Sequence, residues 1–97
     1  MRSPIGYTFR GIEIPSATAE GIERYLVHRV PPGSFLEAVI CNDLREACGQ
    51  ADENNAAALQ AIVGYFYNEA PSLAWGSSAR FETWLNEADA DTLRGGA

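Results

Sequence analysis

The 97-residue sequence predicts an α+β, mostly α, domain: a short N-terminal β-hairpin followed by a compact bundle of three to four helices. Three features predict it. Apolar and polar residues alternate over residues 7–14 on both sides of Arg10-Gly11, and apolar residues recur at helical spacing through most of the chain beyond Pro15. Each helical stretch is bounded by Pro, Gly or a side chain able to cap. The length suffices for one hydrophobic core. Residues 1–97 therefore read as a single domain, with an ordered core over about 5–86 and a frayed acidic tail over 87–97.

Tyr7 to Ile14 alternates on both sides of Arg10-Gly11, and Gly tolerates the positive φ that a tight hairpin turn needs. Pro15 ends the second strand, and Ser16 offers an oxygen to a helix from about Ala17 to Arg29. In that helix Ala19, Ile22, Leu26 and Val30 form the apolar face with Tyr25 at its edge, and Glu20, Arg24 and His28 form the solvated one. Pro31-Pro32-Gly33 breaks the helix, and Ser34 with Glu37 has the pattern of a capping box.

The second helix, about Phe35 to Cys48, carries a broad apolar arc of Leu36, Ile40, Leu44, Ala47 and Cys48. Asp43 falls inside this arc, which predicts a structural role: capping another helix or pairing with an Arg. Cys41 and Cys48 stand two turns apart, about 10 Å along the axis, too far for a disulfide. They read as reduced, buried thiols of a reducing compartment.

The third helix, about Glu53 to Asn68, places Leu59, Ile62, Val63 and Phe66 on one stripe. Ala57, Ala61, Gly64 and Asn68 form a strip of small residues that lets another backbone approach, either inside the fold or as a homodimer contact. Pro71 stops this helix, Trp75-Gly76-Ser77 turns the chain, and Phe81, Trp84 and Leu85 mark a last helix of two or three turns.

Function classes narrow by exclusion. The net charge of −6 opposes nucleic-acid binding, which needs a basic stripe. Residues 1–33 carry +1, residues 34–69 carry −5 and the remainder −2, so the acidity sits in the middle. No stretch is apolar enough to span a bilayer and no secretory leader is visible, which predicts a cytoplasmic protein. One His and two Cys do not supply a zinc site or a Cys–His nucleophile, and no Gly-rich phosphate loop follows a strand. Carboxylate pairs such as Asp52-Glu53, and the group Glu87, Asp89 and Asp91, read as solvated surface. The sequence thus assigns no catalytic residue, metal or cofactor.

Pro32-Gly33-Ser34-Phe35-Leu36, Ala38-Val39, Asn42-Asp43-Leu44, Ala51-Asp52 with Asn55, Tyr67 to Pro71 and Trp75-Gly76-Ser77 together resemble a set of short phage and prophage open reading frames. The resemblance runs from the Tyr7 hairpin to Trp84. It implies a phage-encoded accessory protein that binds a host or phage protein stoichiometrically. Its most pointed form is an anti-CRISPR inhibitor whose acidic surface imitates DNA in the basic groove of a CRISPR-Cas effector. Glu37, Glu46, Asp52 and Glu53 would be that surface. The alternative is a non-inhibitory, homo-oligomeric structural or regulatory module built on the small-residue strip.

Overall fold

β1 (Thr8–Phe9) and β2 (Ile12–Glu13) pair antiparallel, Thr8 opposite Glu13 and Phe9 opposite Ile12. Arg10 and Gly11 both take positive φ, 53° and 80°, the pattern of a type I′ turn, whose twist matches that of the strands it joins. The Arg10 guanidinium lies 5.3 Å from the Phe9 ring centre. The computed structural model describes the backbone of residues 1–95 and the side chains of residues 1–87.

Among the described residues six α-helices complete the chain: α1 (Ser16–His28), α2 (Ser34–Ile40), α3 (Leu44–Gln50), α4 (Glu53–Ala57), α5 (Leu59–Asn68) and α6 (Ser78–Gly95). A 3-10 turn, Ser72–Ala74, precedes α6. The chain is mostly helical, but three to four long helices are replaced by shorter ones because two of them are interrupted. The radius of gyration, 13.4 Å, matches the roughly 13 Å of a packed 100-residue chain.

The first interruption divides the expected Phe35–Cys48 helix. Asn42 adopts a left-handed φ of 62°. The Asp43 N–H then reaches the Ala38 carbonyl at 2.8 Å and the Asn42 N–H reaches Val39 at 3.1 Å, the paired bonds of a Schellman stop. Asp43 starts the next helix, its carboxylate accepting from the Glu46 N–H at 3.2 Å. Asp43 is therefore an exposed cap and lies outside any apolar arc; Leu44 and Cys48 are exposed, and Cys41 is only half-buried. Reorientation after Ile40 corrects the expectation of two buried thiols.

The second interruption falls at Ala58, between α4 and α5. Asp52 caps α4 through the Asn55 N–H at 2.7 Å. Ile62, Tyr65 and Phe66 are buried, while Tyr67 is exposed. Ala61 is inside the core, and Phe9 covers Gly64, where an added Cβ would stand 3.6 Å from the ring. Two of the four small residues thus serve internal packing, against the hairpin and the core.

Smaller corrections arise from cap geometry. Gly33 is the N-cap of α2 and no side chain caps it, so the Ser34–Glu37 box does not form. Pro15 stands at the N-cap of α1 and Ser16 is its first residue. Arg29 ends α1 in the left-handed region at φ 58°, which turns Val30 out to solvent. Tyr25, expected at the edge of α1, is fully buried. The last helix runs 18 residues, beyond the two or three turns expected, so the tail is helical through Gly95. The fraying expected at residues 96 and 97 lies outside the described residues.

The core is Ile14, Ile22, Tyr25, Ile40, Ile62, Tyr65 and Phe66, all fully buried. Gly21 permits the α1–α2 approach, since a Cβ there would fall 3.1 Å from the Leu36 methyl. The Tyr25 hydroxyl donates to the Ala74 carbonyl at 2.6 Å, and the Tyr65 hydroxyl donates to the Arg2 carbonyl. Trp84 donates its indole N–H to the Tyr25 carbonyl at 3.1 Å and docks α6 on α1.

Burial holds both buried phenols above their ordinary range. Tyr65 is pushed up to about 12 by burial, then by the Glu69 and Glu23 carboxylates and by Tyr7. Tyr25 is raised by burial and then by Cys41, with Arg29 opposing. An unfolded tyrosine ionises near pH 10, so between about pH 10 and 12 the unfolded chain loses phenolic protons that the fold keeps. Stability is accordingly expected to fall as pH rises across that window. Urea midpoints should decline with pH, and Tyr65→Phe should make the decline shallower; an unchanged slope would count against this account.

Candidate functional site

Glu37 on α2, Asp43 at the helix junction and Glu46 on α3 line one hollow of about 360 Å³, together with Ser34, Cys41, Gln50 and Ser78. The Asn42 stop produces this convergence by bringing α3 back against α2. Gln50 Nε2 donates to Glu46 Oε1 at 2.9 Å and orients that carboxylate. Among the described residues the one ion pair is Arg29–Glu87 at 3.5 Å, so none of these three carboxylates is neutralised by a cation. Each is exposed, which keeps the cost of its charge low.

The Cys41 thiol is pushed up first by burial and then by Glu37, Asp43 and Glu82. It is a protonated thiol at neutral pH and a poor nucleophile. Glu82, on α6, makes the smallest of these contributions. Among the described residues no three His, Cys, Asp or Glu side chains converge as metal ligands.

A wider groove of about 530 Å³ adjoins this hollow and shares Ser34 and Gln50 with it. It runs between α1, the Pro31–Gly33 connector and the start of α4, with Arg24 and Asp52 among its walls. Thr18 Oγ1 donates to Asn55 Oδ1 at 2.6 Å, fixing α4 on α1. One Asp52 oxygen is engaged by the Asn55 N–H.

The four acidic residues expected to form one surface are therefore divided. Glu37 and Glu46 share the hollow, Asp52 belongs to the groove as a helix cap, and Glu53 stands exposed in the first turn of α4. Sequence reasoning gave Asp43 a structural role, as a helix cap or an Arg partner, and not a place beside Glu37 and Glu46; it gave Glu82 no role. The pair Asn42-Asp43, a left-handed-tolerant residue before a good cap, was the signal that could have placed Asp43 there. Of the small-residue strip, only Ala57 and Asn68 are exposed.

No protein-family model, curated protein or solved structure matches this chain. The convergence of carboxylates around the α2–α3 hollow is then the most specific chemical feature of the described surface. It offers hydrogen-bond acceptors and negative charge.

Proposed function

We propose that the protein acts stoichiometrically, by docking its acidic α2–α3 face on a basic surface of another protein. The observation that carries this reading is the grouping of Glu37, Asp43 and Glu46 around one hollow, with no cation paired to them among the described residues. Unneutralised carboxylates on one side steer a basic partner and exclude phosphate backbones. Together with the resemblance to phage reading frames, this favours an anti-CRISPR-type inhibitor whose carboxylates occupy a basic nucleic-acid groove of a host defence complex.

The test is protection of a targeted phage in a bacterium with active CRISPR-Cas immunity, paired with capture of the effector by the tagged chain. Wild type should protect and capture, and Glu37→Lys/Glu46→Lys should lose both. Captured complex should weaken at least about tenfold between 0.1 and 1 M salt, as the screening length shrinks from about 10 Å to about 3 Å. Binding indifferent to salt and to charge reversal would overturn the reading.

A further inference from the structure

Beside the acidic hollow, and sharing Ala38 and Asp43 with it, lies an apolar slot of about 140 Å³ where α2, α3 and α5 meet. Leu59, Val63 and Trp75 line it, and Leu44 stands at it with 67% of its surface exposed. An exposed leucine by itself is ordinary. Here it borders a slot whose other wall includes Val63, also exposed, and the half-buried Trp75. The size is that of a cavity holding a single benzene, about 150 Å³, which suits one Leu or Phe side chain and is too small for a helix face.

The geometry points to a specific occupant: we infer that the slot takes one large apolar side chain from a partner protein segment whose neighbouring residues are Arg or Lys. This rests on the acidic-face reading above and names the recognition element it would use. Charge complementarity selects the segment. Asp43 is part of the slot, and Glu37 and Glu46 lie in the adjoining hollow within the same face. Arg45, the cation carried by α3, lines neither. A second copy of this chain would bring a net charge of −6 against the same carboxylates, and nucleic acid would bring phosphates; both are repelled. A basic segment with an apolar anchor satisfies both halves of the surface, the anchor supplying affinity and the cations direction and register.

The experiment titrates the full ¹⁵N-labelled chain with a blocked heptapeptide bearing a central Phe between two pairs of Arg. Two counterparts replace the Phe by Ala or the four Arg by Glu. The first peptide is expected to shift the Leu44 and Val63 amides and the Trp75 indole together with Glu37 and Glu46. Loss of the Phe should weaken binding about tenfold or more and remove the Leu44, Val63 and Trp75 response. Leu44→Asp should do the same to the parent peptide, with Leu44→Ser as the milder variant. Asp43→Asn, which keeps a good capping side chain, should weaken binding several-fold.

If the Ala peptide binds as well as the Phe peptide and moves only Glu37 and Glu46, the anchor slot is wrong while the acidic-face reading stands. Binding of the Glu peptide equal to the Arg peptide, or no shift from any peptide at millimolar concentration, overturns both. A dimer in sedimentation that Leu44→Asp disperses would put a second copy in the slot and overturn the inference.

Discussion

Phe66→Ala is expected to destabilise the protein by about 3–5 kcal/mol, the range for deleting a buried aromatic from a close-packed core. Phe66 is fully buried on α5. Its ring meets Tyr65 edge-on at 6.0 Å and Trp75 at 5.7 Å, so it joins α5 to the turn that precedes α6. No nearby side chain is long and free enough to refill the space, since Ile62, Tyr65 and Ala74 are themselves fully buried. For a chain of this length each kcal/mol lowers Tm by about 4–8 °C, which puts the expected fall at about 12 °C or more. Urea unfolding followed by tryptophan fluorescence measures it, because Trp75 and Trp84 are packed against the core and lose that packing on unfolding. A midpoint within error of wild type would mean that Phe66 does not join these elements.

The second large effect is expected at Trp84. Its indole N–H bonds the Tyr25 carbonyl, and the Arg29 guanidinium lies 3.6 Å from its ring centre. Arg29 Nη1 also reaches the Trp84 carbonyl at 2.8 Å and Glu87 at 3.5 Å. Trp84→Ala removes the contact that holds α6 on α1 and should cost about 2–4 kcal/mol, less than a fully buried Trp because the side chain is only partly buried. Trp84→Phe should cost only about 1 kcal/mol, since the Tyr25 carbonyl keeps its bond from the Arg29 N–H at 3.2 Å. A double-mutant cycle with Arg29→Ala should show coupling of about 0.5–2 kcal/mol, the range for a cation stacked on indole. Strict additivity would mean that the stacked pair contributes nothing.

The hairpin was legible because Arg10-Gly11 interrupts a two-residue period, and turn chemistry acts over four residues. α1 was legible for the same local reason, a proline connector after a helical stripe. The division between α2 and α3 was written in Asn42-Asp43 but overridden by apolar residues that continue at helical spacing through Leu44, Ala47 and Cys48. Periodicity reports that a face exists; it does not report that the face is one continuous helix. The bend at Ala58 had no local signal, because Ala56-Ala57-Ala58 contains no Gly, Pro or capping residue. Ala58 is nearly fully buried, and Thr18 holds Asn55 from α1, which makes that bend a tertiary matter.

The same limit applied to the candidate site. Net charge by segment located the acidity correctly in the middle of the chain, because composition is independent of conformation. Which carboxylates face one another depends on the direction of α3 after Asn42, and hence on the interruption that periodicity concealed. Glu53 was grouped with Glu46 by nearness in sequence, and Glu82, far along the chain on the last helix, was not.

The first helix depends on partners synthesised much later. Thr18 waits for Asn55, the Tyr25 hydroxyl for Ala74, and the Tyr25 carbonyl for Trp84, 59 residues downstream. At ribosomal speeds of about 5–20 residues per second, that interval lasts roughly 3–12 s, during which a nascent α1 has an unmatched tyrosine and an uncovered apolar face. Closure of the domain therefore waits until Trp84 has left the ribosome, and a ribosome stalled short of it would hold out a first helix that still lacks these three partners.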